Sequence, residues 1–447
     1  MELNRANIEK RFARYVLPSI LTQMLMGLYT VVDGLFIGRY AGDVGLSAVN
    51  LSWPVAAIVF AASGGIGTGG AVLIGNRFGQ DKPEDVVRAR GTTVVLLVLF
   101  GVFFTVAFSL LLPVLLTILG ATGAVREAAH DYLQIIIWGS MLQMLSCGLG
   151  PVLRNFGRTV GVMAVSMASG LINVVLDWVF VGLLHRGASG AAEATMSAQA
   201  ISVIFYLYCL FRNKEQPVRF SEFRLRKAES KAILSVGLSP FGLSAASSIT
   251  LMFTNWQCIR YGGNDAVAAY AVAAYVTGAV GAFLSGLGEG IQPLVSFAEG
   301  ASDHNAAKRV FHRAVRLSLM MSVVLSAVSV IFRVQLGELF GCGPAASEML
   351  NTAMIFTPLG YPLMGLCKLC SSYLYAGGAH RYSSLLIYLE PLAVSPVMLL
   401  LVPLFLKVTG IWVSYPLTYV VLIVLAAVLI HLHEKKKAAA PRRIENN

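Results

Sequence analysis

Charge is scarce in this sequence. Asp, Glu, Lys and Arg make up 13% of its 447 residues, against 56% hydrophobic ones. A soluble domain carries roughly 25% charged residues, so most of this chain is built to avoid water. Long polar stretches are missing too. The longest lies at about 212–231 and is too short for a signalling or docking domain, which argues against a non-transporting membrane sensor or scaffold. No G-x-x-x-x-G-K-[ST], H-E-x-x-H or G-x-S-x-G run occurs. Nothing therefore points to ATP use or an intramembrane hydrolase, and the chain reads as a non-enzyme. Cysteine is sparse: six residues, mostly in apolar runs, make no disulfide framework. Cys367 and Cys370 mimic a redox or zinc motif, but they sit in an apolar segment without a second ligand pair. They read as small buried hydrophobes, and no metal site is expected. A cleavable leader is not expected either. The first apolar run, 12–37, follows Arg5, Lys10 and Arg11 directly, contains Arg14 near its start, and is too long for a signal-peptide core.

What is present is apolar length. A helix crosses a bilayer with about 20 apolar residues. Twelve segments qualify: 12–37, 46–76, 92–119, 129–153, 159–184, 190–211, 232–260, 266–298, 314–336, 347–376, 382–406 and 409–432. The runs are continuous, so they read as helices and not as alternating barrel strands. Lys and Arg divide unevenly between the loops. With the N-terminus inside, 27 of the 34 fall on the inner side and six on the outer side, with Lys368 inside a span. The positive-inside rule then puts both termini in the cytoplasm. The basic balance of +11 thus comes from membrane orientation, with anionic lipid as its partner and no nucleic acid.

A shift of 221 residues lays the second half on the first. Tyr40 falls on Tyr261 and Arg88 on Arg309. Gly42, Gly65, Gly67, Gly69, Gly79, Gly120 and Gly157 fall on Gly263, Gly286, Gly288, Gly290, Gly300, Gly341 and Gly378. Composition alone predicts roughly one such glycine pair. The expected fold is therefore an all-α integral membrane protein of two six-helix lobes, related by a pseudo-twofold axis along the membrane normal. The expected division is 1–211 for the first lobe, 212–231 for a basic inter-lobe hinge, 232–432 for the second lobe and 433–447 for a tail. The glycines at 64–70 and 286–290 serve close helix packing or bending.

Each ionisable residue within a span costs about 2.5–3.5 kcal/mol on insertion scales, so each asks for a reason. Asp33 lies near the outer end of the first span. Asp177 lies in the outer half of the fifth, with Asn173 one turn earlier on the same face. Thr195 opens the sixth. Two acids and two neutral oxygen donors at one depth can hold a proton or Na⁺. The plainer reading is a pair of hydrogen-bonded or snorkelling acids. Pro18 removes a backbone bond in the first span and should kink it. In the second half Glu289, Lys368 and Glu390 all fall in the inner half of their spans. They suggest a polar cluster, either a neutralised pair between Lys368 and one glutamate or a second ion or substrate site. Glu193 reads as wet.

At these residues the sequence resembles the MATE (multidrug and toxic compound extrusion) family, especially its bacterial MepA-like branch, over essentially the whole chain. The marks are 32–39 (VDGLFIGR), the Pro18-to-Asp33 spacing, 172–177 (INVVLD), 190–195 (GAAEAT) and 290–294 (GIQPL). Glu193 and Glu289 stand where an apolar residue and a glutamine are expected, and Lys368 where some members carry an acid. The resemblance implies a V-shaped pair of lobes and export of amphipathic, mainly cationic small molecules by H⁺ or Na⁺ antiport. It implies cation coupling at Asp33, Asn173, Asp177 and Thr195. A monomer in the bacterial cytoplasmic (inner) membrane is expected, with no cofactor beyond the coupling ion. A lipid-linked oligosaccharide flippase of the same superfamily is the rival. It is disfavoured because Lys368 is the only clear intramembrane base.

Overall fold

The computed structural model describes residues 11–212, 217–340 and 343–439. Within its helices the side chains of 26–35, 38, 39, 42, 43, 46, 50, 243–249, 264 and 436–439 fall outside the description. Among the described residues there is no strand. In lipid a backbone must bond to itself, and uncharged runs of this length do so as helices.

The first half is built from α1 (Phe12–Tyr40), α2 (Gly42–Gly79), α3 (Pro83–Ile118), α4 (Gly123–Trp138), α5 (Ser140–Asn155), α6 (Thr159–Asp177) and α7 (Gly187–Phe211). The second holds α8 (Lys227–Gly300), α9 (His304–Ile331), α10 (Arg333–Leu339), α11 (Pro344–Phe356), α12 (Tyr361–Ala376), α13 (His380–Leu389) and α14 (Ser395–Ala439). Two of these are double. α8 breaks at Gly263 (φ 63°) and α14 at Lys407 (φ 51°). Other pairs are single passes with a joint. α4 and α5 meet at 54° around Gly139, and α11 runs into α12 through a 3₁₀ turn at Thr357–Gly360. Eight described segments are long and apolar enough to cross a membrane, nine with the bent α4–α5 pair. Dividing the last segment at Lys407, and adding α1 and the first limb of α8, gives twelve helical passes.

The apolar windows underestimate the helices. Arg88 and Arg90, expected in a loop, lie on α3, which starts at Pro83. Likewise α9 starts at His304, ten residues before the expected 314. Once the backbone is helical, polar residues extend it beyond the lipid at little cost, so hydropathy alone does not mark the ends.

The internal repeat is written in the backbone. Asp81 (φ 56°) and Ser302 (φ 57°) both take left-handed conformations and are 221 residues apart. Gly157 (φ 78°) and Gly378 (φ 86°) have the same separation. His185 (φ 52°) and Lys407 (φ 51°), which introduce the sixth pass of each half, are offset by 222.

The helices group into two compact units that do not follow the repeat boundary. One comprises Met1–Ala245 with Glu289–Phe311, the other Ala246–Gly288 with His312–Asn447. Within the first, small residues allow close helix contact. A Cβ added at Gly67 would collide with the Gly148 backbone of α5, and one at Gly69 with the Ile233 carbonyl of α8. Gly290 lies against Val16, and Gly300 against the Asn76 carbonyl, which is why Glu289–Phe311 belongs with this unit. Gly64, by contrast, faces open space.

Candidate functional site

α6 lies along α7 and α1 in the first unit. Its last turn carries Asn173, 2% exposed, and Asp177, 0% exposed. One helical turn separates them, so both face the same interior wall. Asn173 Nδ2 donates to Thr195 Oγ1 on α7 at 3.4 Å. The Asn173 Oδ1 is buried and has no hydrogen-bond partner among the described residues. Further along the same seam Ser169 Oγ donates to the Ala198 carbonyl (2.9 Å), and Ser166 meets the Tyr206 hydroxyl (3.3 Å).

Directly after Asp177 the helix widens into a π-helical turn, Trp178–Leu183. Such turns shift the register of the side chains around them and recur at functional sites. Among the described residues a second π-helical turn, Glu390–Val394, is opened by Glu390. Each acid of the fifth pass in its half thus borders a local widening of the helix. Ile37 of α1, Val181 of the π-helical turn and Ala191 of α7 form a buried apolar cluster in the same unit. Asp177 itself is 0% exposed, so its carboxylate has little water and its charge state matters to packing.

Asp33 lies on α1, and its side chain is outside the described residues. Pro18 is buried on the same helix, which stays helical from Phe12 to Tyr40. Thr22 Oγ1 bonds the Pro18 carbonyl at 2.8 Å. Glu193 pairs with Arg186 at 2.6 Å at the mouth of α7.

Of the residues expected to cluster in the second half, Lys368 and Glu390 lie in the second unit and within electrostatic reach of each other. Glu289 belongs to the first unit, where Arg154 Nη1 contacts its Oε2 at 2.6 Å and Gln23 Nε2 donates to its Oε1. Beside it, Asn155 Nδ2 donates to Gln292 Oε1 (3.4 Å), and Gln292 Nε2 to Ser296 Oγ (3.3 Å). Gln23, Arg154 and Asn155 escaped the sequence reading. The one signal for them was a glutamate at a position where the family resemblance leads one to expect glutamine.

In the second unit Lys368 Nζ donates to Ser285 Oγ at 3.0 Å. Glu390 Oε1 accepts from the Tyr419 hydroxyl at 2.7 Å. Tyr419 packs edge-on against Tyr415 (5.0 Å), and Tyr415 against Tyr361 (6.4 Å), whose hydroxyl meets Thr277 at 3.2 Å. The methionine sulfur of Met364 accepts from Tyr415. This is a phenol-lined polar wall holding one cation and one acid.

Comparison with known proteins decides the family. The MatE family model matches residues 18–179 and 241–389, more than half of the chain. The chain belongs to the MatE family. Among its MatE relatives is the probable multidrug resistance protein YoeA of Bacillus subtilis, 23% identical, with 94% of this chain and 93% of that one covered. The multidrug export protein MepA of Staphylococcus aureus is 24% identical (91% and 90% covered). The probable multidrug resistance protein NorM of Thermotoga maritima is 27% identical (76% and 74%). A multidrug-resistance MATE transporter of the MOP superfamily, solved in an outward-facing conformation, superposes with a TM-score of 0.91 at 23% identity, covering 97% and 96% of the two chains. A MOP superfamily transporter from Pyrococcus furiosus, described as having a reverse polarity of its binding pocket that suggests a different function, gives 0.90 at 22% identity (97% and 96%). At that identity the superpositions speak for the fold: the twelve-helix, two-lobe architecture of MATE transporters. The protein is thus a multi-pass membrane protein of a multidrug-efflux family.

Proposed function

We infer that this MatE protein is a secondary active exporter of amphipathic, mainly cationic small molecules, driven by entry of H⁺ or Na⁺. Its place is the bacterial cytoplasmic membrane, as a monomer with both termini inside. It needs no cofactor besides the coupling ion. The observation that carries this reading is the fully buried Asp177 beside the unpartnered Asn173 oxygen and Thr195. Oxygen donors in a water-poor wall suit a proton or a small hard cation. Asp33 on α1 is the proposed second acid.

In this scheme substrate loads from the cytoplasm and the ion enters from outside. Ion capture neutralises the wall between α1, α6 and α7. A ligand shifts two conformations only by its difference in affinity for them, so the coupling energy must reside in contacts the ion makes in one state and not the other. The π-helical turn after Asp177 supplies a joint that can repack, and Pro18 weakens α1 where a bend is needed. Reconstituted vesicles loaded with a cationic dye test this. Imposed pH and Na⁺ gradients, applied separately, should reveal one that drives efflux. Asp177→Asn and Asp33→Asn should each abolish that drive, and undiminished efflux in both removes the coupling assignment.

A further inference from the structure

The segment expected to be a free inter-lobe hinge is anchored. Arg90 and Glu222 form an ion pair with side chains 0% and 2% exposed. It is bidentate, with Nη2 to Oε2 at 2.7 Å and Nε to Oε1 at 3.2 Å. Arg90 Nη2 also donates to the Pro217 carbonyl (3.3 Å), and its guanidinium lies over the Phe156 ring (5.5 Å). Thr92 Oγ1 donates to the Arg224 carbonyl at 3.3 Å, and Arg226 Nη1 to the Glu222 carbonyl at 3.0 Å. At Gly91 any Cβ would strike the Glu222 carbonyl, so the chain rests directly on α3. Residues 217–226 are therefore held by α3 within one compact unit, and α8 begins immediately after them.

The docking level is telling. All four charged residues of α3 (Glu84, Asp85, Arg88 and Arg90) precede Gly91, and none occurs from Gly91 to Ile118. The loop thus sits where the charged foot of α3 meets its apolar shaft, the depth of the lipid head groups. There it presents apolar side chains outward. Phe220 is 87% exposed and Leu225 is also exposed, although the ion pair beside them is completely covered. Phe223 links Phe220 to Phe211, the last residue of α7. Around them Arg219, Arg224 and Lys227 are exposed. An aqueous loop gains nothing from a bare phenylalanine ringed by cations. At a membrane surface, apolar insertion and attraction to anionic head groups add together.

We propose that residues 217–227 form a preorganised lipid-docking element. Phe220 and Leu225 insert into the acyl boundary, and Arg219, Arg224 and Lys227 hold the phosphates of anionic lipids. The buried Arg90–Glu222 pair fixes the shape in advance, so binding costs little further ordering. The inserted loop ties the base of α3 and the start of α8 to the membrane plane, a fixed point against which the remaining helices move. This reading uses the orientation given above only to name the leaflet.

The test places a nitroxide at Phe220→Cys in the full-length protein, reconstituted in phosphatidylcholine vesicles with or without phosphatidylglycerol. Collision with oxygen, which concentrates in lipid, is compared with collision with a water-soluble nickel complex. A label at Lys82→Cys, in the neighbouring turn, serves as the aqueous reference, and Leu225→Cys is a second reporter should the first variant fold poorly. The oxygen-to-nickel ratio at 220 should exceed that at 82 severalfold and rise further with phosphatidylglycerol. Arg219→Ala with Arg224→Ala should abolish that rise. A label at 220 as nickel-accessible as at 82 in both lipids overturns the proposal, and leaves the surface to a soluble partner. A rise that persists without the two arginines overturns the head-group assignment. Depth is read without regard to leaflet or ion drive, so the transport reading can fail while this one stands.

Discussion

At the scale of single residues, the chain keeps its few buried charges where each has a definable neighbour. Asp177→Asn keeps shape and burial but removes the charge that an ion must answer. It should cut gradient-driven dye efflux at least about tenfold, equivalent to about 1.4 kcal/mol of lost coupling, while thermal unfolding of the purified protein stays close to wild type. A large fall in unfolding temperature would make the residue structural. Glu289 makes a different case. Glu289→Gln keeps one acceptor oxygen for Arg154, as an ordinary bond in place of a charge-assisted one, and its NH2 meets Gln23 once that amide turns its oxygen inward. The expected loss is about 1 kcal/mol in denaturant unfolding, because Glu289 is part-exposed and the pair is screened. A loss several times larger would mean that Arg154 is stranded without its partner.

How much of this was readable depended on sequence distance. Asn173 and Asp177 are four apart, so helix geometry alone put them on one face. The Asn173–Thr195 contact spans a single helical hairpin and was within reach of the same logic. The Arg154–Glu289 contact spans 135 residues and Arg90–Glu222 spans 132. Local periodicity carries no information about such partners, so Glu289 was visible as an oddity without its partner, and the Arg90–Glu222 pair left no signal at all.

At the scale of elements, glycine decides how close the helices come. Gly67 and Gly148 bring α2 and α5 into backbone contact, whereas Gly64, one turn away on the same helix, meets nothing within 4 Å. The sequence shows both glycines alike and cannot rank them. The structure predicts opposite outcomes. Gly67→Ala should destabilise by about 1–3 kcal/mol, the usual cost of overpacking. Gly64→Ala should be neutral or slightly stabilising, since alanine is the better helix former by about 1 kcal/mol. Unfolding temperatures of the two variants in detergent check this, and equal effects would refute the packing assignment. Joints were harder to read than helices. The bend between α4 and α5 falls at Gly139 inside a run that looks continuous, because one glycine in an apolar stretch is compatible with both a bend and a straight helix. The repeat was clearer than its consequences. Its register placed Gly157 and Gly378 together, yet the left-handed turns at Asp81 and Ser302 carry no glycine and left no compositional trace.

At the scale of the whole molecule, the positive-inside asymmetry predicts a checkable orientation. A cysteine replacing His130, at the outer end of the span expected at 129–153, should react with a membrane-impermeant maleimide added to intact cells. One replacing Lys82, exposed in the turn before α3, should react only after the membrane is opened. The reverse pattern would invert the topology and with it the direction of transport. The family match makes the chain a member of a multidrug-efflux family, and the proposed function puts the driving ion at the buried acid on α6. In that mechanism ion and substrate must influence each other's binding by the same factor, because such coupling is reciprocal.

That reciprocity is measurable without a membrane gradient. Fluorescence anisotropy of a cationic dye on the purified transporter gives its Kd across pH at fixed Na⁺, then across Na⁺ at fixed pH. In the wild type, dye affinity should fall severalfold as one of the two ions rises, and in Asp177→Asn it should be flat to both. An ion dependence of the same size in the two proteins would contradict the claim that this carboxylate is the coupling point.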